Sequence, residues 1–295
     1  MELGEATATI RQTHILACGA VRVVMQCDPT FELVLNNLVH ELSEGFLLAS
    51  VPCREPVEIR ATMELQKEPI AQDTLQGRYK HCSGHTYRSR WGLWDVQLRD
   101  FGSGLKPHAR LALSTEVSPS SYPDVLKMFL RTVIASAAPL VDALMFHGCA
   151  LASKDCSRAL LFLGASGDGK TTLRQRLSQW TCLGDDTVFV QLDEATDFSV
   201  AGTPFAGSEG YDRVYRRVPL KGLYFLQPHG RMLSVESVSA EEGFGKLLSR
   251  LMWFVDGGPL RERMLDLVAK LSQFPRIGRL ESSLHHDLTH VLGHA

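Results

Sequence analysis

Short apolar runs separated by polar punctuation set the rhythm of residues 1–120. Residues 14–26 include Val21, Val23, Val24 and Met25, 57–65 alternate partially, 86–98 are rich in Tyr, Trp and Val, and 105–117 hold a further apolar stretch. β-Branched and aromatic runs of this kind predict strands. One helix interrupts them, because Phe31, Leu33, Val34, Leu38 and Leu42 fall near helical spacing. Two prolines and three serines within 117–123 then break the pattern and predict a domain boundary. The chain thus divides into a β-rich N-terminal domain, 1–120, suited to acceptor recognition, and a second domain, 121–295.

In the second part, Val125, Met128, Phe129, Thr132 and Val133 share one face of a helix predicted over 124–138, closed by Pro139. Strands are predicted over 144–152 and 159–163, with the polar turn of Lys154, Asp155, Cys156 and Ser157 between them. A helix over 171–180 follows, and 181–184 returns to the sheet. Helices over 243–254 and 260–274, a strand over 275–284 and a short last helix complete the order. No internal repeat or low-complexity tract is visible.

Composition narrows the class. Of 295 residues 44% are hydrophobic and 22% charged, with a formal charge of -2, which gives no global signature for nucleic acid or a membrane. Residues 1–20 carry Glu2 and Glu5 without an apolar core, and no apolar run approaches about eighteen residues. Seven cysteines, with no C-x-x-C pair, suit a reducing compartment. A cytoplasmic protein is the expectation.

The sharpest chemical signal is Gly164-Ala165-Ser166-Gly167-Asp168-Gly169-Lys170-Thr171-Thr172, which follows an apolar run and matches the Walker A pattern. Glycines at 164, 167 and 169 let successive backbone N–H groups turn into one anion-sized hollow. Lys170 would lie along the β- and γ-phosphates of ATP, and the Thr171 hydroxyl would ligate Mg²⁺. Such a site also needs a carboxylate near metal and γ-phosphate. Asp185 and Asp186, ending a predicted core strand, meet that need. The run Val188 to Leu192 with Asp193-Glu194 imitates the strand of a transporter-type ATPase, but no Leu-Ser-Gly-Gly-Gln signature accompanies it. No Asn-Lys-x-Asp guanine-reading motif is present either.

Phe146-His147-Gly148, the loop Gly164 to Leu173 and Leu183-Gly184-Asp185-Asp186 together resemble the catalytic domain of HPr kinase/phosphorylase and its relatives, over roughly 123–295. The resemblance implies an α/β fold, a P-loop kinase domain similar to phosphoenolpyruvate carboxykinase, preceded here by the β-rich domain. It implies an ATP- and Mg²⁺-dependent kinase that phosphorylates a serine on a peptide or protein, and some relatives modify ribosomally made peptides. Carried over by motif, Asp185 is the general base, His147 supports it, and Asp186 sits beside the metal; 218–226 resembles a strand of the family's divergent members. The substrate-holding signature loop of HPr kinases is not recognisable. In its place 202–213 forms a Gly-rich stretch expected to be a mobile acceptor loop, with Glu209 near the metal and Arg213, Arg216 or Arg217 against transferring phosphate. A catalytically silent ATP-binding regulator and a small-metabolite kinase are the alternatives, and a homo-oligomer stays open.

Other clusters invite blander readings. His81, Cys82 and His85, with Cys53 upstream, have no zinc-ligand spacing. Tyr87, Trp91 and Trp94 suit core packing better than ligand stacking. His286, His290 and His294 share a helical face without a completing carboxylate or thiol.

Overall fold

The computed structural model describes residues 13–18, 20–43, 57–68, 70, 79–90, 93–193, 197–205, 216–228 and 233–282. The histidines at 286, 290 and 294, Cys53, Trp91, Glu209 and Arg213 lie outside them. Sixteen strands and five α-helices are found among the described residues.

The first sheet is built mostly from the N-terminal part. β1 (His14–Cys18) and β2 (Val21–Cys27) form a hairpin, so the strand signal of 14–26 is carried by two antiparallel strands. Their alternating burial puts Leu16, Cys18, Val21, Val23 and Met25 on the inner face. Helix α1 (Pro29–Ser43) begins beside Asp28, whose carboxylate accepts from the Thr30 N–H at 3.0 Å. It crosses to β3 (Val57–Gln66), which lies parallel to β2. β4 (Tyr79–Ser83), β5 (Thr86–Arg90), β6 (Trp94–Arg99) and β7 (His108–Ser114) complete a meander whose last strand runs parallel to β3.

The Ser/Pro stretch leads into α2 (Tyr122–Ala137), which lays its apolar face on α1. The Phe31 and Tyr122 rings meet at 5.0 Å. One contiguous apolar core runs from Leu16 to Ile277, across the 120/121 position. The first sheet even takes its edge strand, β15 (Val255–Asp256), from the other end of the chain, parallel to β4. Tyr87 is fully buried, and its hydroxyl accepts from the Leu260 N–H at 3.2 Å. Trp94 packs half-buried against the same core.

The second sheet corrects the expected architecture. β8 (Ala143–Ala152) and β9 (Ala159–Leu163) are antiparallel. The polar turn between them is too short for the crossover a parallel neighbour would need. β10 (Thr181–Gly184) and β11 (Thr187–Leu192) both run antiparallel to β8. Gly184 faces Ala150 and Thr187 faces His147, so the register passes unbroken across Asp185 and Asp186. These two strands are one strand bent at the acidic pair. β12 (Phe198–Gly202) pairs with β11 and with β13 (Val218–Pro228), and β13 pairs parallel with β9. The strands β8, β9, β13, β12 and β11 therefore close a five-strand ring, with β16 (Ile277–Ser282) and β14 (Ser234–Ser237) extending it from β13. Helices α3 (Lys170–Arg176), α4 (Ala240–Arg250) and α5 (Gly258–Ser272) are accessories to this ring. An α/β P-loop kinase domain is not what the chain forms: strands dominate, both sheets are mixed, and β9 is flanked on one side by an antiparallel hairpin partner.

Closure depends on one close approach. A Cβ on Gly202 would lie 1.8 Å from the carbonyl oxygen of Leu183. Gly202→Ala must push β12 away from the bent strand, and we expect a loss of about 3 kcal/mol, the upper range for overpacking. A urea midpoint within error of the parent would contradict this close approach.

Candidate functional site

The end of the ring where β8, β9 and the bent strand meet brings the glycine loop, the acidic pair and His147 to one side of the fold. Loop 164–169 joins the fully buried β9 to α3. Gly167 and Gly169 take φ values of 89° and 90°, a left-handed backbone that side chains oppose. At Gly164 the constraint is space, since an added Cβ would stand 3.0 Å from the Asp168 Cβ. Helix α3 ends at Arg176, earlier than the spacing predicts. A phosphate held here would meet the loop amides and Lys170 rather than the end of a long helix.

Lys170 is 8% exposed, and its Nζ donates to the carbonyl oxygens of Gly164 at 2.9 Å and Ala165 at 2.7 Å. Burial pushes its pKa down, and the charge of Asp168 opposes that. The Asp168 carboxylate accepts from the Ala165 N–H and lies 4.0 Å from Arg250 of α4. One loop amide is thus engaged by the protein's own carboxylate. Thr171 is exposed, with Thr172 half-buried behind it.

Asp185 and Asp186 have different surroundings. Asp186 lies between a histidine and an arginine: His147 Nδ1 is 3.1 Å from Oδ1, and Arg131 Nη2 of α2 donates to Oδ2 at 3.1 Å. Its own carbonyl accepts from the Gly148 N–H at 3.0 Å, which holds the bend against β8. The His147 bond, then the Arg131 charge, lowers the Asp186 pKa against the opposing effect of burial. Asp186 also acts on Lys170 electrostatically. Asp185 is buried, 6% exposed, and its charge acts on Cys149 and Cys182, two buried neighbours on β8 and β10. Motif order predicts His147 beside Asp185; in the structure His147 bonds Asp186.

Arg131 has no signal in the sequence beyond its place on an amphipathic helix, and only the packing of α2 brings it to the acidic bend. It ties in a further element. Its guanidinium lies 5.3 Å above the Phe205 ring. Phe205 is fixed in turn by Thr187, whose Oγ1 donates to the Phe205 carbonyl at 2.9 Å, and by Thr203, whose Oγ1 donates to the Thr187 carbonyl at 3.1 Å. The predicted acceptor stretch therefore leaves the ring directly beside Arg131 and Asp186. Its return, at Arg216, is exposed, and Arg217 pairs with Asp193 at 3.3 Å.

The Arg131 pair yields a pH test. A carboxylate with a depressed folded pKa stabilises the fold above its unfolded pKa, near 4, and loses that contribution as pH falls through the folded value. Arg131→Gln should cost about 1–2 kcal/mol at pH 7, and the deficit should shrink at pH 3, where Asp186 is increasingly protonated. Urea midpoints at both pH values measure it. An equal deficit at the two would mean that Arg131 acts by packing alone.

Elsewhere, His85 Nδ1 lies 3.0 Å from the Phe101 carbonyl and Cys82 is exposed. No cluster of three His, Cys, Asp or Glu forms a metal cage among the described residues. Nor is any helix there long and apolar enough to cross a membrane. No protein-family model matches the chain, and no curated protein matches it either.

Proposed function

We propose that residues 164–172 hold the phosphates of ATP and that the chain transfers the γ-phosphoryl group to a hydroxyl, a serine of a peptide or protein being the favoured acceptor. The observation that carries this reading is the convergence of Lys170, on a glycine loop with two left-handed turns, with an ionised Asp186 held between His147 and Arg131. A binding loop alone would not require that arrangement.

On this reading the loop amides and Lys170 position the triphosphate, and Lys170 exchanges its two carbonyl contacts for phosphate oxygens. Asp186 accepts the proton of the attacking hydroxyl. The His147 bond favours this role for Asp186 over Asp185, because it orients the carboxylate and keeps it ionised. Phosphoryl transfer through a loose transition state asks the carboxylate mainly to orient the nucleophile, so a depressed pKa is compatible with the task. Arg131 then faces the negative charge of the transferring group. Mg²⁺ binds through one or two carboxylates and substrate phosphates and needs no all-protein cage. Thr171 and Asp185 would hold it, and it would supply charge neutralisation of the phosphates. Acceptor recognition we assign to the stretch beyond Phe205 and to the outward face of the first sheet, where Arg60, Arg99 and Arg110 stand.

Asp168 should act as an internal competitor, because its carboxylate takes the Ala165 N–H. Asp168→Asn removes one negative charge beside the phosphates, worth about 1 kcal/mol in a solvated loop, so MgATP should bind about fivefold more tightly. Unchanged or weaker binding would show that this contact does not compete.

The reading as a whole is tested by incubating the protein with γ-labelled ATP, Mg²⁺ and a library of serine peptides. Label on a peptide hydroxyl supports it. Saturable ATP binding with no transfer to any acceptor would favour a silent ATP sensor instead.

A further inference from the structure

A concave site lies away from the glycine loop. A cavity of about 880 Å³ opens beside the N-terminal ends of β9, β12, β13 and β16. β9 carries the phosphate loop at its C-terminal end and Arg158 just before its N-terminal end, so the two sites are separated by the strand's length, roughly 17 Å. β12 spans the same interval, from Asp197 and Phe198 at the cavity to Thr203 beside the acidic bend. This cavity is therefore not an extension of the nucleotide site.

Its lining has two chemistries. Leu220, Phe198 and Phe274 supply an apolar wall, with the two rings edge to face at 6.2 Å. Arg158, Lys221, Lys270 and Arg276 supply four cations, against one lining carboxylate, Asp197. Lys270 is paired with Asp266 at 3.2 Å, one helical turn away, whereas Lys221 and Arg276 have no ion-pair partner among the described residues. Arg158 is braced 5.5 Å above the Trp180 ring. Concentrating like charges around a cavity costs free energy, and a bound anion offsets it. The aromatic pair has no such electrostatic role and suits a flat apolar body.

We propose that this cavity binds a small organic anion carrying a flat apolar group, an aromatic phosphate or carboxylate, with Arg158, Lys221 and Arg276 on the anionic end and Phe198 and Phe274 along the ring. The proposal is independent of the nucleotide reading, since it uses none of the phosphate-loop residues.

Calorimetric titration of the full chain with 1-naphthyl phosphate tests it. Saturable one-site binding is expected, undiminished by Lys170→Ala, and weakened about tenfold by Arg276→Gln or Arg158→Gln, each removing a charge-assisted contact. Arg276 is exposed, so its variant keeps the fold even if loss of the Arg158–Trp180 stack disturbs its turn. Neutral 1-naphthol and inorganic phosphate should each bind at least tenfold more weakly. 1-Naphthoate distinguishes the anion: affinity equal to the phosphate indicates a carboxylate-tolerant site, and tenfold weaker affinity a phosphate site, either upholding the cavity. No saturable binding would overturn the proposal. So would naphthol binding as tightly as its phosphate, indifference to both arginine variants, or loss of binding in Lys170→Ala.

Discussion

Asp186→Asn should lower phosphoryl transfer by about 10²- to 10⁴-fold, the usual contribution of a positioned proton acceptor, while changing MgATP affinity only modestly. The substitution keeps the side-chain shape and removes the charge held by His147 and Arg131. Lys170 and the loop amides, which make the proposed phosphate contacts, are not altered. Asp185→Asn should behave differently, raising the Mg²⁺ concentration needed for half-maximal transfer, because it removes charge from the proposed metal's surroundings. Single-turnover transfer measured against a Mg²⁺ titration separates the two. If Asp185→Asn abolishes transfer at saturating Mg²⁺ while Asp186→Asn retains it, the roles are reversed and the His147 bond serves only to hold the bend.

The second large effect concerns binding. Saturating MgATP, at about 100 times its Kd, should stabilise the native chain by roughly 2.7 kcal/mol, and Lys170→Ala should lose most of that gain. The lysine is buried and satisfied by the Gly164 and Ala165 carbonyls, so its removal also frees two acceptors. The variant's melting temperature without nucleotide must therefore be the reference. A nucleotide-induced shift equal to the parent's would remove Lys170 from the site.

Local pattern explains which parts of this structure were legible. The amphipathic spacing around Val125, Phe129 and Val133 marks α2, and the continuous apolar run 159–163 marks β9, because both signals are carried by near neighbours in the chain. The stretch 14–26 carries a strand signal but not its division into two strands, whose buried positions switch from even (Leu16, Cys18) to odd (Val21, Val23, Met25). Ring closure was not legible at all. It depends on β12 pairing with β13 and on Gly202 meeting Leu183, contacts with no local periodicity. The expected α/β domain does not form for that reason, although the strand predicted over 159–163 does. In the site, the glycine spacing and the acidic pair stand out because they are short motifs. Which carboxylate meets His147 is decided by the register of β8 against the bent strand, and Arg131 comes from a helix more than fifty positions away.

The central claim is that residues 164–172 hold a nucleotide through its β- and γ-phosphates, and calorimetric comparison of MgATP with AMP tests it most directly. Lys170 and the loop amides have no β- or γ-phosphate to grip in AMP. The account predicts saturable one-to-one binding of MgATP and at least tenfold weaker binding of AMP. No saturable binding of MgATP, or AMP binding as tightly, would contradict it.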